Sequence, residues 1–223
     1  MNEAAQGSRS TPRQEHVVFV HGLWMTGFEL EWLRREVDRC GYRTHQFRHH
    51  SLLSRPEDSA RRLKAFLASI DAEVVHLVGH SLGGIVLVHL FDQMPQSRPG
   101  RVLMMGTPLL GSTTASAFAN RRWLRPLLGR SIHRGLLGDI PAWRGPAEVG
   151  MIAGNLGVGV GLILFGELPA PHDGTVAVFE TRGQFITRHL TVTRSHFGML
   201  FSRSVAQSIC NYLKMGDFGG NVA

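Results

Sequence analysis

The chain has 223 residues, enough for one domain with a real core. Apolar residues make up 43% and charged residues 18%, which excludes a disordered chain and reads as soluble and globular. Lys and Arg outnumber Asp and Glu by 24 to 17, but no nucleic-acid motif accompanies the excess. It is read as a solvated basic surface with no nucleic-acid partner.

Residues 1–15 are polar, lack the apolar run of a secretory leader and are expected to form a flexible tail. Val17-Val18-Phe19-Val20 is a continuous apolar run ending in His21-Gly22, the pattern of a strand buried on both faces. Residues 28–39 have helical spacing through Leu30, Leu33 and Val37 and stop near Gly41. Residues 42–48 read as a second strand, and Pro56 opens a helix to about residue 70. Residues 74–78 form the next buried strand, followed at once by Gly79-His80-Ser81-Leu82-Gly83 and an almost wholly apolar helix over 82–91. Strands are expected over 101–105, 149–153 and 190–193, and an amphipathic helix over 202–214. This alternation predicts a single α/β domain over 16–215, built on a mostly parallel sheet with helices on both faces. Residues 216–223 are a C-terminal tail.

Two stretches interrupt the alternation. Residues 116–145 mix Arg, Trp and Leu and are expected as a lid or cap; residues 155–171 are rich in glycine and aliphatics. Arg121, Arg122, Trp123 and Leu124 read as a solvated helix face or as a peripheral contact with a lipid surface. Cys40 and Cys210 lie in helix-like apolar stretches and are expected as free buried thiols, in keeping with a reducing, cytoplasmic compartment. Residues 156–165 are too short and glycine-rich to span a bilayer as a helix.

With 26 glycines in the chain, a Gly-x-Ser-x-Gly match arises by chance about 0.2 times, so the pentapeptide alone is weak. Its place between a buried strand and a buried helix is that of a nucleophile elbow, with Ser81 as nucleophile. Small residues on either side of the serine relieve collisions across the turn, and the following helix offers free N–H groups to a developing oxyanion. His21-Gly22-Leu23 ends the first strand beside the elbow, so the N–H groups of Leu23 and Leu82 are the expected oxyanion donors. A serine hydroxyl needs a base, and the expected chain order is Ser, acid, His. His196 is the only histidine after the last strand and is the preferred base, with His189 the competitor. Asp173, in a turn-like stretch upstream, is the preferred acid, with Asp139 and Glu167 as alternatives. Trp24 and Met25 follow the donor loop and are candidates for the substrate pocket.

The segments Val17-Val18-Phe19-Val20-His21-Gly22, Val78-Gly79-His80-Ser81-Leu82-Gly83-Gly84, Gly106-Thr107-Pro108-Leu109-Leu110-Gly111-Ser112, Asp173-Gly174-Thr175-Val176 and Ser195-His196 resemble lipase- and esterase-type α/β hydrolases. The elbow and the Gly-Thr-Pro segment are similar to those of bacterial triacylglycerol lipases and of lipase-like enzymes that deacylate GPI anchors. The resemblance implies an α/β-hydrolase fold and hydrolysis of a small-molecule or lipid ester through an acyl-serine, without a cofactor. The chain is smaller than most such lipases. A thioesterase, an amidase or an acyltransferase would use the same three residues, and a non-catalytic member would use the fold for binding. His45, His49 and His50 lack carboxylate or cysteine partners at metal-binding spacing and read as a polar strand end, with no metal. His80 is expected to pack beside the elbow.

Overall fold

The computed structural model of the chain describes residues 14–93, 100–146, 148–159 and 168–219. Six strands, β1 (His16–Val20), β2 (Arg43–Phe47), β3 (Val75–His80), β4 (Val102–Met105), β5 (Val149–Gly154) and β6 (Arg188–Val192), pair in parallel in the order β2-β1-β3-β4-β5-β6. The four inner strands are the apolar runs of the sequence, because each is covered on both faces. Alternate residues serve opposite cores. Val17 and Phe19 of β1 pack with one cluster, Val18 and Val20 with the other.

Helices α1 (Glu31–Asp38) and α5 (Arg203–Met215) cover the first face through Leu33, Val37, Val205, Ile209 and Leu213. Helices α2 (Pro56–Ala68) and α3 (Leu82–Gln93) cover the second through Leu63, Leu67, Val86 and Leu90. Each fully buried side chain of this size contributes about 1.5–3 kcal/mol. Helix α2 starts at Pro56, where the missing N–H costs nothing, with Glu57 and Asp58 in its positive first turn. Helix α5 is capped by Ser202, whose hydroxyl accepts from the Val205 N–H, and ends on Gly216 at φ +77°.

The structure departs from the sequence reading at several strand ends. Strand β3 continues through Gly79 and His80, which pair with Met104 and Met105, so Ser81 follows the strand with no loop between. Strand β6 begins at Arg188 and contains His189; as an edge strand it lacks a continuous apolar run. Within 116–145, α4 (Thr113–Ala119) and a 3-10 stretch (Arg125–Ile132) fold back so that Phe118, Leu124, Leu128, Ile132 and Leu136 pack on Leu82 and Ile85 of α3. Leu124 is therefore buried, while Trp123 beside it is 73% exposed. Residues 1–13, 160–167 and 220–223 lie outside the described residues, and with them most of the N-terminal tail, Glu167 and the middle of the 155–171 stretch. Among the described residues no helix is long and apolar enough to cross a membrane.

The chain leaves β1 toward β2 on one side and leaves β3 toward β4 on the other. The loops after β1 and β3 diverge there, opening a crevice at the carboxyl ends of the strands, where parallel sheets place their ligands.

The free-thiol expectation is corrected. Cys40 and Cys210 form a disulfide with Cα atoms 6.3 Å apart, joining the end of α1 to α5 across 170 residues of sequence. The two helices are neighbours only because they share one face of the sheet. Bridges of this kind persist in oxidising compartments, which removes the ground for expecting a reducing one. Cys40→Ser should lower the unfolding free energy by about 2–4 kcal/mol in urea titrations, and reductant should bring the wild type to the same midpoint. Coincident curves for oxidised wild type and variant would show that the bridge does not form.

Candidate active site

Ser81 has φ +53°, a left-handed conformation that non-glycine residues adopt only when their surroundings force it. Its N–H donates to the Met105 carbonyl (2.8 Å) and its carbonyl accepts from Gly84 (3.0 Å), locking the strand-to-helix turn from both sides. Side chains would break that turn. A Cβ on Gly83 would run into the Val20 carbonyl, one on Gly84 into the Thr107 hydroxyl, and one on Gly79 would sit 2.7 Å from the Gly84 Cα. The loop after β1 reaches the same point: a Cβ on Gly22 would lie 3.0 Å from Ser81 Cβ.

Asp173 and His196 arrive on the loops after β5 and β6. His196 Nδ1–H donates to Asp173 Oδ2 at 2.6 Å, and the His196 N–H donates to the Asp173 carbonyl at 2.9 Å. The other carboxylate oxygen accepts from the N–H groups of Thr175 (2.9 Å) and Val176 (2.7 Å). Asp173 is 1% exposed, so this carboxylate is held in place by hydrogen bonds in a dry setting. With Nδ1 donating, the lone pair of His196 is on Nε2. Gly106, at φ +54°, makes room for the ring: a Cβ there would lie 2.9 Å from His196 Cε1.

Ser81 and His196 face one cavity of about 600 Å3, its open mouth included. Its walls are mainly apolar. Leu23, Trp24 and Met25 form one side, Phe118, Leu128 and Leu136 of the 116–145 segment another, and Phe197 stands near the mouth. The indole N–H of Trp24, a residue at φ +60°, donates to the Leu127 carbonyl (2.7 Å), and its ring lies 5.7 Å from that of Phe118. The Leu23 N–H finds no acceptor among the described residues, and the first N–H groups of α3, beginning with Leu82, are free by helix geometry.

The competing residues are occupied elsewhere. The Asp139 carboxylate accepts from the N–H groups of Arg134 (2.8 Å) and Gly135 (2.9 Å) and closes a turn in the cap. His189 donates to the Thr181 hydroxyl (2.8 Å), and burial pushes its imidazole down to about 4. His80 packs beside the elbow as expected, its Nε2–H donating to the His196 carbonyl (3.3 Å). Burial first, and then the nearby His196, hold His80 well below the ordinary histidine value.

Two contributors have no local signature in the sequence. Glu180, 2% exposed, accepts from the Thr113 N–H and hydroxyl (2.6 Å each) and from the Ala177 N–H (2.9 Å), tying the start of α4 to the Asp173 loop. His49 does not behave as a polar strand end. It is 8% exposed, in the loop between β2 and α2, bonded to Ser59 and to His21. Among the described residues no group of His, Cys, Asp and Glu converges in a way that could hold a metal ion.

Comparison with known proteins places these features in a wider set. A lipase of Bacillus licheniformis in its mature form superposes with a TM-score of 0.67 at 21% identity, over 94% of this chain and 95% of that one. A metagenomic carboxyl esterase superposes with a TM-score of 0.60 at 15% identity, over 83% of this chain and 65% of its own. At such identities the likeness shows the fold alone. In sequence, 68 residues are 38% identical to a putative carbamate hydrolase, RutD, of Pantoea ananatis; they make up 30% of this chain and only 25% of that relative. The alpha/beta hydrolase family model matches residues 17–205, most of the chain, and the protein belongs to that family.

Proposed function

We propose that the protein is a serine esterase that cleaves carboxylic esters with an apolar acyl group, through an acyl-serine on Ser81. The observation that carries this reading is the left-handed Ser81 at the strand-to-helix turn, facing the same cavity as a histidine already paired to a buried carboxylate. Ser81 Oγ attacks the ester carbonyl while its proton passes to His196 Nε2. Asp173 fixes the tautomer of His196 and stabilises the imidazolium that forms. The N–H groups of Leu23 and Leu82 donate to the tetrahedral oxyanion. Collapse breaks the bond to the alkoxy oxygen, which leaves with the proton from His196. Water then attacks the acyl-serine, giving its proton to His196, and the acid departs as Ser81 regains its hydrogen.

The cavity supports a short to medium apolar acyl chain, since its lining is mainly apolar and Phe118, Leu128 and Leu136 of the cap close one wall. Exposed apolar side chains at Trp24 and Phe197 line it and suit a peripheral contact with a lipid or other apolar surface. A thioester, amide or carbamate would meet the same residues, so these are the comparison substrates. The disulfide favours an oxidising compartment over the cytoplasm.

With p-nitrophenyl butyrate, hexanoate and palmitate, turnover should favour the two shorter esters, and Ser81→Ala should lose about 10,000-fold or more. A fluorophosphonate should label wild type and not the variant. Undiminished turnover by Ser81→Ala ends the esterase reading, and faster turnover of matched thioesters or amides moves it to that bond. Gly106→Ala should displace the His196 ring and lower kcat by about 100-fold in folded protein. An unchanged kcat in that variant would separate His196 from the chemistry.

A further inference from the structure

The loop that carries Leu23 is held by a chain of hydrogen bonds that none of the chemistry above uses directly. Ser59 Oγ–H on α2 donates to His49 Nδ1 (3.1 Å), and His49 Nε2–H donates to the His21 carbonyl (3.1 Å). The His49 backbone N–H donates to His21 Nε2 (3.2 Å), so His21 carries its proton on Nδ1 and donates it to the Gly22 carbonyl (3.0 Å). The two imidazoles stack at 4.3 Å. His21 is fully buried and His49 nearly so.

Each bond has one consistent direction. A hydroxyl can donate to His49 Nδ1 only if that nitrogen is unprotonated, which puts the proton on Nε2, the atom facing the His21 carbonyl. A backbone N–H facing His21 Nε2 fixes the opposite tautomer on His21. Burial lowers His21 and brings His49 down to about 4, so both rings are neutral at pH 7 and the pattern is the resting one.

The consequence lies in the Gly22–Leu23 peptide. A peptide is planar and trans, so its carbonyl and the following N–H point in opposite directions. Pinning the Gly22 carbonyl toward His21 aims the Leu23 N–H away from it, and Leu23 lines the cavity. The preceding peptide is pinned at both ends, its carbonyl by His49 and its N–H by Met25 Sδ at 3.3 Å. A carbonyl that accepts a hydrogen bond also polarises the N–H of its own peptide, making it a better donor.

We propose that His21 and His49 are positioning residues for the oxyanion site: the His49 side chain, braced by Ser59, holds the His21 carbonyl, the His49 backbone N–H fixes the His21 tautomer, and His21 aims the Leu23 N–H. This inference rests on the esterase reading, in which Leu23 is an oxyanion donor.

Three variants test it against the same p-nitrophenyl ester. H49F keeps the flat ring, its stacking and the backbone N–H to His21 but has no side-chain N–H, H49Q returns an amide N–H near the position of Nε2, and S59A removes the brace on α2. H49F should lose kcat by about 10- to 100-fold with KM within about twofold, because a misaimed oxyanion donor matters in the transition state alone. H49Q should recover most of that loss. A phenylboronic acid, which forms a tetrahedral adduct on serine, should bind H49F more weakly by a factor that follows kcat. If H49F does not fold, S59A carries the test with an expected kcat loss of about 3- to 10-fold at constant KM. Ser81-dependent turnover with unimpaired kcat in folded H49F, or in S59A when H49F is unfolded, would overturn the positioning role and leave the esterase reading standing. An equal loss in H49F and H49Q would mark His49 as filling space only, which also overturns it. Turnover that survives Ser81→Ala instead removes the esterase reading itself.

Discussion

The backbone at Ser81 is the constraint on which the site depends. The chain must pass from the end of β3 into α3 with a single residue between them, and that residue is a left-handed serine. A non-glycine residue held there costs about 1–3 kcal/mol. The packing that flanks it offsets that cost, since Leu77, Val78, Ile85 and Val86 are all buried on either side. The turn also brings three pieces together that no local sequence joins. It lifts the serine above the sheet edge, it points the start of α3 at the same spot, and through Gly83 it draws the helix against the Val20 carbonyl at the end of β1. The loop after β1 therefore has to lie against Ser81, and Gly22 is the residue small enough to let it.

The electrostatics of the cavity follow from which of its histidines has a carboxylate beside it. His21, His49, His80 and His189 are all shifted downward by burial, so they remain neutral at pH 7. His196 alone among the histidines lining the cavity is bonded to a carboxylate. In the proposed reaction, positive charge that develops on proton transfer thus has a single favourable place to sit in the cavity. The neutrality of His80 matters most, since its ring is 4.7 Å from that of His196 and a charge there would oppose an imidazolium next door. Burial removes that opposition, while the Nε2–H of His80 steadies the His196 carbonyl.

Much of the frame was legible in the chain because its signals are local. A strand covered on both faces has to be apolar throughout, and β1, β3, β4 and β5 announce themselves in that way. The elbow is a pentapeptide whose context is its two neighbours. Asp173 is preferred over Asp139 by chain order and turn context; in the structure Asp173 bonds His196, while Asp139 bonds the N–H groups of Arg134 and Gly135. What escaped depends on contacts between distant segments. The Cys40–Cys210 bridge needs α1 and α5 on one face of the sheet, which spacing does not reveal. Glu180 looks like any acidic residue until Thr113 is brought to it. His49 sits in a run of polar residues after an edge strand, and only the approach of α2 and the β1 loop turns it inward. Edge strands blur for the related reason that one uncovered face relaxes the demand for apolar side chains, and β6 begins two residues before its expected start.

The loop after β1 is braced from two directions, and this joins the 116–145 segment to the proposed oxyanion site. From below, His49 and His21 hold the peptides on either side of Gly22. From above, Trp24 is anchored to the cap by its N–H to Leu127 and by its contact with Phe118. Trp24 is the next residue after Leu23 and is itself left-handed, so it has little freedom to move without rotating the Leu23 peptide. In the proposed esterase, Trp24 therefore lines the cavity that takes the acyl group and also adjoins the peptide that carries the Leu23 donor, so acyl size and transition-state stabilisation meet at one side chain.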